Sequence, residues 1–191
     1  MSTKQTPRPR RTGENRLPGD PDAHELVERM IRVDHAGEYG AARIYEGQLA
    51  VLGRSASAAT IRHMREQEQV HLDTFSRMIV ERRVRPTALQ PVWHVAGFAL
   101  GAATALMGEK AAMACTVAVE EVIDEHYREQ AAQLGEDEAE LHGTIERFRA
   151  EELEHRDIGY EHGAAEAPGF ELLRGAVKAG SRLAIWLSQR V

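Results

Sequence analysis

The sequence predicts an all-α fold, a four-helix bundle built from two copies of one helical hairpin. Three observations predict it. The composition is rich in Ala and lacks strand-like runs of Val, Ile and Thr, which favours helix. Apolar residues recur at helical spacing along most of the chain. And Glu68-x-x-His71 returns 84 residues later as Glu152-x-x-His155, each copy trailing a lone glutamate, Glu38 and Glu120, by about one helical hairpin.

Each element has its own signals. Residues 1–21 are rich in Pro, Gly and Arg, show no apolar periodicity, and are read as a flexible tail ahead of a single domain over 22–191. The tail lacks the apolar segment of a secretory signal, and its acids and prolines spoil an amphipathic presequence. Asp20-Pro21-Asp22 signals a helix start, and Leu26, Val27, Met30, Ile31, Ile44, Tyr45 and Leu49 carry the pattern to Gly53. Gly53-Arg54-Ser55 reads as stop and N-cap, so the second helix covers about 55–83 and ends before Arg85-Pro86. After the Pro-bounded linker 86–91 comes the most apolar stretch, 92–108. It is too short and Gly-rich for a membrane span, which needs about 20 apolar residues, and is read as a buried or membrane-surface helix. A third long helix runs about 109–134, a fourth about 136–163, and Pro168-Gly169 opens a last one over 170–190.

The repeat agrees with this geometry. Glu38 and Glu68 are centred on Gly53, and Glu120 and Glu152 on Glu136, beside Gly135. In each half the two glutamates therefore stand equally far from a turn, about 22–24 Å by the helix rise, so antiparallel neighbours bring them level. The repeat extends to Tyr45 and Tyr127, each seven residues after its glutamate and so on the same helical face.

A lone Glu-x-x-His is ordinarily a solvated helix face. Two copies, each with a glutamate at hairpin distance, reverse that reading, because Glu and His at i and i+3 reach one metal ion and carboxylates can bridge two. Glu38, Glu68, His71, Glu120, Glu152 and His155 are thus the candidate ligands of a di-iron or di-manganese centre in a ferritin-like bundle, with positions left open on the metals. Glu66, Glu121, Glu151 and Glu154 are read as surface charge. Tyr127 and His126 are candidates for a proton or electron relay. Cys115, the only cysteine, falls about 140° around the helix from Glu120 and is read as a small buried residue.

The net charge of −6 argues against a nucleic-acid groove. A single cysteine excludes a disulfide framework and a cage of cysteines, and fits a reducing compartment.

The segments 32–54, 83–87, 97–108, 114–121 and 151–159 (RVDHAGEYGAARIYEGQLAVLGR, RVRPT, GFALGAATALMG, ACTVAVEE and EELEHRDIG) resemble the demethoxyubiquinone hydroxylase family of ubiquinone biosynthesis. The resemblance covers about 25–190. It implies that the six candidate ligands hold two iron ions (manganese in vitro), with Glu68 and Glu152 bridging. It implies a monooxygenase that hydroxylates a polyprenylated methoxy-benzoquinol with dioxygen and a reductant, NADH being the donor suggested. No dinucleotide-binding fingerprint is present, so a nicotinamide would use an unconventional surface or a partner. The implied partners are the quinol, a membrane surface and other proteins of ubiquinone biosynthesis; prenyl length and oligomeric state are not implied.

The residues support a lipid substrate in one further way. In 170–190, Arg174, Lys178 and Arg182 form a basic stripe beside an apolar remainder, and with 92–108 this reads as extra apolar, interfacial helices. The expected place is the cytoplasmic face of the cell membrane or, alternatively, the matrix side of the mitochondrial inner membrane. The runner-up function is a rubrerythrin-like di-iron peroxidase, although no cysteine module accompanies it.

Overall fold

In a computed structural model that describes residues 19–191, six helices account for nearly all of the described chain, and no strand is present among those residues. Most of the tail expected over 1–21 lies outside the described residues.

The first helix, α1 (Ala23–Leu52), begins where the Asp-Pro-Asp signal placed it. Asp22 accepts from the Glu25 backbone N–H at 2.8 Å, and the Glu25 carboxylate accepts from the Asp22 N–H at 2.8 Å. This reciprocal capping box satisfies two of the orphan donors of the first turn. Its partner α2 (Ala58–Glu81) starts three residues later than the sequence suggested, because Ser55–Ser57 stay in the turn and the Ser57 hydroxyl bonds Glu109 of another helix instead of capping its own. The second hairpin pairs α4 (Glu109–Ala131) with α5 (Ala139–Glu161). Residues 136–138, expected to open the fourth helix, form a 3₁₀ turn after an extended Gly135.

The two hairpins make the four-helix bundle. Its interior holds two main apolar clusters. One gathers Met30, Ile31, Phe75, Tyr127, Ile145 and Phe148; the other gathers Tyr45, Ile61, Met64, Met113, Ala114 and Val117. The candidate ligands lie between them, since Tyr127 of the first cluster and Tyr45 of the second both reach glutamates of the repeat.

The remaining helices, α3 (Gln90–Leu106) and α6 (Phe170–Ser188), cover the outside of the α1–α4 pair. The glycines of α3 account for its close fit. A Cβ at Gly101 would strike the Ile44 carbonyl oxygen, and one at Gly97 would stand 2.8 Å from the Gly40 carbonyl, so glycine four residues apart lets the α3 backbone lie directly on α1. Among the described residues no helix is long and apolar enough to cross a membrane.

The basic stripe of α6 pairs with acids of α4. Arg174 donates to Glu121 at 2.8 Å, as does Lys178, and Arg182 donates to Glu125 at 2.8 Å. The stripe thus helps to hold α6 on α4, with Arg182 still more than half exposed. Glu121, read as plain surface charge, is the half-buried hub of that network. Burial would raise its pKa, but Arg174 and Lys178 outweigh burial and hold the carboxylate below its ordinary range.

Candidate metal centre

All six residues of the repeat converge at the middle of the bundle, and each is at most 1% exposed. Glu38 comes from α1, Glu68 and His71 from α2, Glu120 from α4, Glu152 and His155 from α5. Their ligand atoms fall into two groups of four, each group within 4.8 Å: Glu38, Glu68, His71 and Glu152 in one, Glu68, Glu120, Glu152 and His155 in the other. Glu68 and Glu152 belong to both, the position that a bridging carboxylate would occupy.

The imidazoles are oriented the same way. His71 turns Nδ1 inward, 3.0 Å from Glu152 Oε1 and 3.4 Å from Glu38 Oε2. His155 turns Nδ1 inward, 3.1 Å from Glu152 Oε2 and 3.2 Å from Glu68 Oε1. Each outward Nε2 is held by the residue that precedes a glutamate of the facing helix. Glu151 takes His71 Nε2 at 2.6 Å, and Gln67 takes His155 Nε2 at 3.0 Å. Glu151 was read from sequence as surface charge; the structure makes it the partner that fixes the His71 ring, the role such outer contacts play at metal sites. Gln67 was missed altogether, although its place one residue before Glu68 mirrors that of Glu151 before Glu152. Glu66 and Glu154 are exposed, as expected.

The tyrosines cross between the halves. Tyr45 of α1 donates to Glu120 Oε1 at 2.9 Å, and Tyr127 of α4 donates to Glu38 Oε1. Burial, with the neighbouring glutamates, pushes both phenols well above their ordinary range, so both keep their protons.

The electrostatics of the cluster call for cations. Burial and neighbouring carboxylates push Glu68 and Glu120 well up. For Glu152 burial acts upward too, but His155 and His71 outweigh it and hold that carboxylate low. Four carboxyl oxygens, Glu38 Oε2, both of Glu68 and Glu120 Oε2, are buried without a hydrogen-bond partner. Four carboxylates packed in an apolar interior with orphaned oxygens are costly unless positive charge joins them, and a mixed carboxylate–imidazole set suits iron or manganese. Cys115 stays out of the cluster; it is fully buried, and burial pushes its thiol up to about 12.

Beside the cluster lies an apolar cavity of about 340 Å³ between α1, α3, α4 and α6. Glu38, Tyr127, Asp34 and His126 line its inner end, and Trp93, Leu100, Ala184 and Ile185 are among the residues that line the rest. His126, flagged from sequence with Tyr127, stands 3.4 Å from the buried Asp34 carboxylate and does not enter either group of ligand atoms. Asp34 was not singled out in the sequence, where a single acid in a charged helix carries no signal.

Residues 25–188 match the family described as ubiquinone biosynthesis protein COQ7. The chain is 63% identical over 183 residues to the 3-demethoxyubiquinol 3-hydroxylase of Rhodospirillum rubrum, covering 95% of this chain and 86% of that one. It is 54% identical over 169 residues to the human protein named NADPH-dependent 3-demethoxyubiquinone 3-hydroxylase, mitochondrial, covering 86% and 78%. The 5-demethoxyubiquinone hydroxylase of Saccharomyces cerevisiae, also named mitochondrial, is 39% identical over 183 residues, covering 87% and 78%.

Proposed function

The chain belongs to the COQ7 family of ubiquinone biosynthesis proteins, and from that premise we propose which residues perform its reaction and where. The protein is a monooxygenase that hydroxylates the ring of a demethoxyubiquinol, a 2-polyprenyl-3-methyl-6-methoxy-1,4-benzoquinol, in ubiquinone biosynthesis. The observation that carries the site is the contact between a buried carboxylate–imidazole cluster and an apolar cavity with room for a substituted ring: Glu38 belongs to the first and lines the second.

Glu38, Glu68, His71, Glu120, Glu152 and His155 would hold two iron ions, with Glu68 and Glu152 shared. Bound there, the ions would supply the redox and Lewis-acid chemistry that activates dioxygen. The protein contributes the rest. The apolar wall of Val33, Val119, Val122 and Leu100 takes the ring out of water. Tyr127, its proton held on the hydroxyl oxygen against Glu38, stands between cluster and cavity and can pass that proton to the ring side. A rubrerythrin-like peroxidase has no use for such a cavity, and the relatives carry hydroxylase names.

The reductant is a reduced nicotinamide. The sequence reading suggested NADH, whereas several relatives are named NADPH-dependent, and NADPH is the donor to test first. Peripheral membrane attachment is supported by the rim of the cavity. Near Trp93 the exposed Val92 and Val95 of α3, and near Ile185 the exposed Leu183 and Trp186 of α6, offer apolar side chains to a bilayer from which a prenylated ring could enter.

Iron-loaded protein, reduced and then given a demethoxyubiquinol and dioxygen, is expected to yield the ring-hydroxylated quinol by mass spectrometry. No product from a centre that dioxygen still oxidises would overturn the reading.

A further inference from the structure

Apart from Glu38, which belongs to the metal cluster, the wall of the cavity holds a second carboxylate that the protein leaves incomplete. Asp34 lines the cavity one helical turn before Glu38 on α1, and its side chain is fully buried. One carboxyl oxygen, Oδ1, is held: Gln130 Nε2 donates to it at 2.7 Å, and His126 Nε2 lies 3.4 Å away. The same amide nitrogen stands 2.9 Å from His126 Nε2, so Asp34, Gln130 and His126 form one connected group. The other carboxyl oxygen, Oδ2, is buried with no hydrogen-bond partner. A buried acceptor without a donor is costly and calls for an explanation.

The neighbouring wall, from Val33 and Ala41 through Val119 and Val122, is apolar, and neither hydroxyl side chain of the cavity, Ser181 or Ser188 of α6, is hydrogen-bonded to Asp34 Oδ2. A ligand in the cavity can supply the missing donor. On the substrate proposed above, the prenyl chain and ring methyl offer no polar hydrogen, and the methoxy oxygen only accepts. The two ring hydroxyls are the only donors, and a hydroxyl can also accept, so it serves a carboxyl oxygen in either protonation state.

We propose that Asp34 Oδ2 binds one ring hydroxyl of the quinol, with Gln130 and His126 behind it, and so fixes which edge of the ring faces the Glu38–Glu120 cluster. The proposal rests on the quinol reading of the cavity and adds an orienting contact to it. Along α1 the step from Asp34 to Glu38 is about 6 Å, close to the span between the two oxygens of a 1,4-benzoquinol. A ring anchored at one hydroxyl therefore presents its far edge beside Glu38 and Tyr127.

The test crosses changes in the protein with changes in the ligand. Iron-loaded enzyme is titrated without oxygen with a short-chain demethoxyquinol and with the two phenols in which one or the other hydroxyl is replaced by hydrogen. Binding is read from tryptophan fluorescence in a Trp186→Phe background that leaves Trp93 of the cavity wall as the reporter. Wild-type protein is expected to bind one of the phenols roughly tenfold or more weaker than the quinol, the loss of a hydrogen bond to a buried charged or polar group. Asp34→Leu, which keeps the branched shape with methyls in place of the oxygens, is expected to bind that phenol and the quinol alike, and Asp34→Asn, which keeps a polar atom at each position, to restore the discrimination. Equal binding of all three ligands by the wild-type protein overturns the proposal without recourse to a variant, and so does undiminished discrimination in Asp34→Leu. Turnover of the full quinol by wild-type enzyme is measured alongside. Product with a flat ligand series defeats the anchor alone, and a discriminating series without product defeats the hydroxylase reading alone.

Discussion

The Tyr127 hydroxyl donates to Oε1 of Glu38, a residue 89 positions away on the opposite hairpin. Tyr45 makes the mirror contact to Glu120, 75 positions away. The duplicated tyrosines thus tie the two halves together through the glutamates of the proposed metal centre. The pair is symmetric in bonding and asymmetric in surroundings, because Tyr127 lines the cavity while Tyr45 packs among Ile61, Met64 and Val117.

That asymmetry separates two substitutions. Tyr127→Phe and Tyr45→Phe each remove one buried hydrogen bond, and each is expected to lower stability by about 1–2 kcal/mol in thermal melts. Only Tyr127→Phe should also slow the hydroxylation, by roughly tenfold or more if it passes a proton at the ring, with metal content unchanged. Equal activity losses in both variants would remove the proposed role of Tyr127.

In metal-free protein the cluster sets the pH dependence of stability. Glu68 and Glu120 have folded-state pKa values raised far above 4.5, so the folded state binds more protons than the unfolded one and stability falls as pH rises from there. His71, for which burial acts downward but Glu152 and Glu38 raise the value to about 12, and His155, raised likewise by Glu152, contribute stability that is full below 6.5 and is lost as pH climbs through their folded values. Glu152 has the opposite sign: its depressed pKa contributes stability above 4.5 that is lost on acidification. Metal-free protein is therefore expected to be most stable near pH 4.5 and to weaken above that, more steeply beyond 6.5 where the histidines add their loss. The stabilisation by added iron should grow in the same direction, since the metal takes deprotonated ligands. Melting temperatures with and without metal across pH 5–9 check both trends, and a gap that narrows with rising pH would contradict them.

The two-hairpin bundle was legible in the sequence because helix rise is linear. Equal distances of Glu38 and Glu68 from Gly53, and of Glu120 and Glu152 from Glu136, determine their common level whatever the packing details. Contacts that depend on how helices face one another were not legible. Glu151 and Gln67 meet imidazole nitrogens across the α2–α5 seam, and nothing within either helix distinguishes them from solvated residues. The ion pairs of Arg174, Lys178 and Arg182 were hidden for the same reason: their partners, Glu121 and Glu125, lie on α4. A second acid pair at matching four-residue spacing was the available hint. The glycines of α3 counted in the sequence only against a membrane span, whereas Gly97 and Gly101 mark the line along which α1 and α3 backbones touch.

The outer partners of the histidines differ in charge, and that difference predicts unequal effects. Glu151 holds His71 Nε2 with a carboxylate at 2.6 Å, where Gln67 offers His155 an amide oxygen at 3.0 Å. Glu151→Gln should weaken metal binding about 10- to 100-fold in chelator competition, the usual cost of losing an outer-shell partner. Gln67→Glu should leave binding the same or tighten it. If both variants bind metal as the wild type does, the outward contacts have no part in orienting the ligands.

The cavity can be filled without touching the metal cluster. Gly180 on α6 lines it, and a Cβ placed there meets nothing within 4 Å. Leucine at this position is also a better helix former than glycine, a gain of about 0.5–1 kcal/mol for the fold. Gly180→Leu is thus expected to melt at or above the wild-type temperature and to retain its metal, while its side chain occupies space that the ring or the first prenyl unit requires. The expected result is a rise of roughly tenfold or more in KM for the quinol, since a ligand meeting an added side chain in a close-packed wall loses contacts or forces strain. A short-chain quinol separates the two occupants. If the added leucine blocks only the prenyl path, shortening the tail restores turnover; if it blocks the ring, both substrates fail together. A Gly180→Leu enzyme that handles both as the wild type does would place the substrate outside this cavity and remove the main support for its assignment.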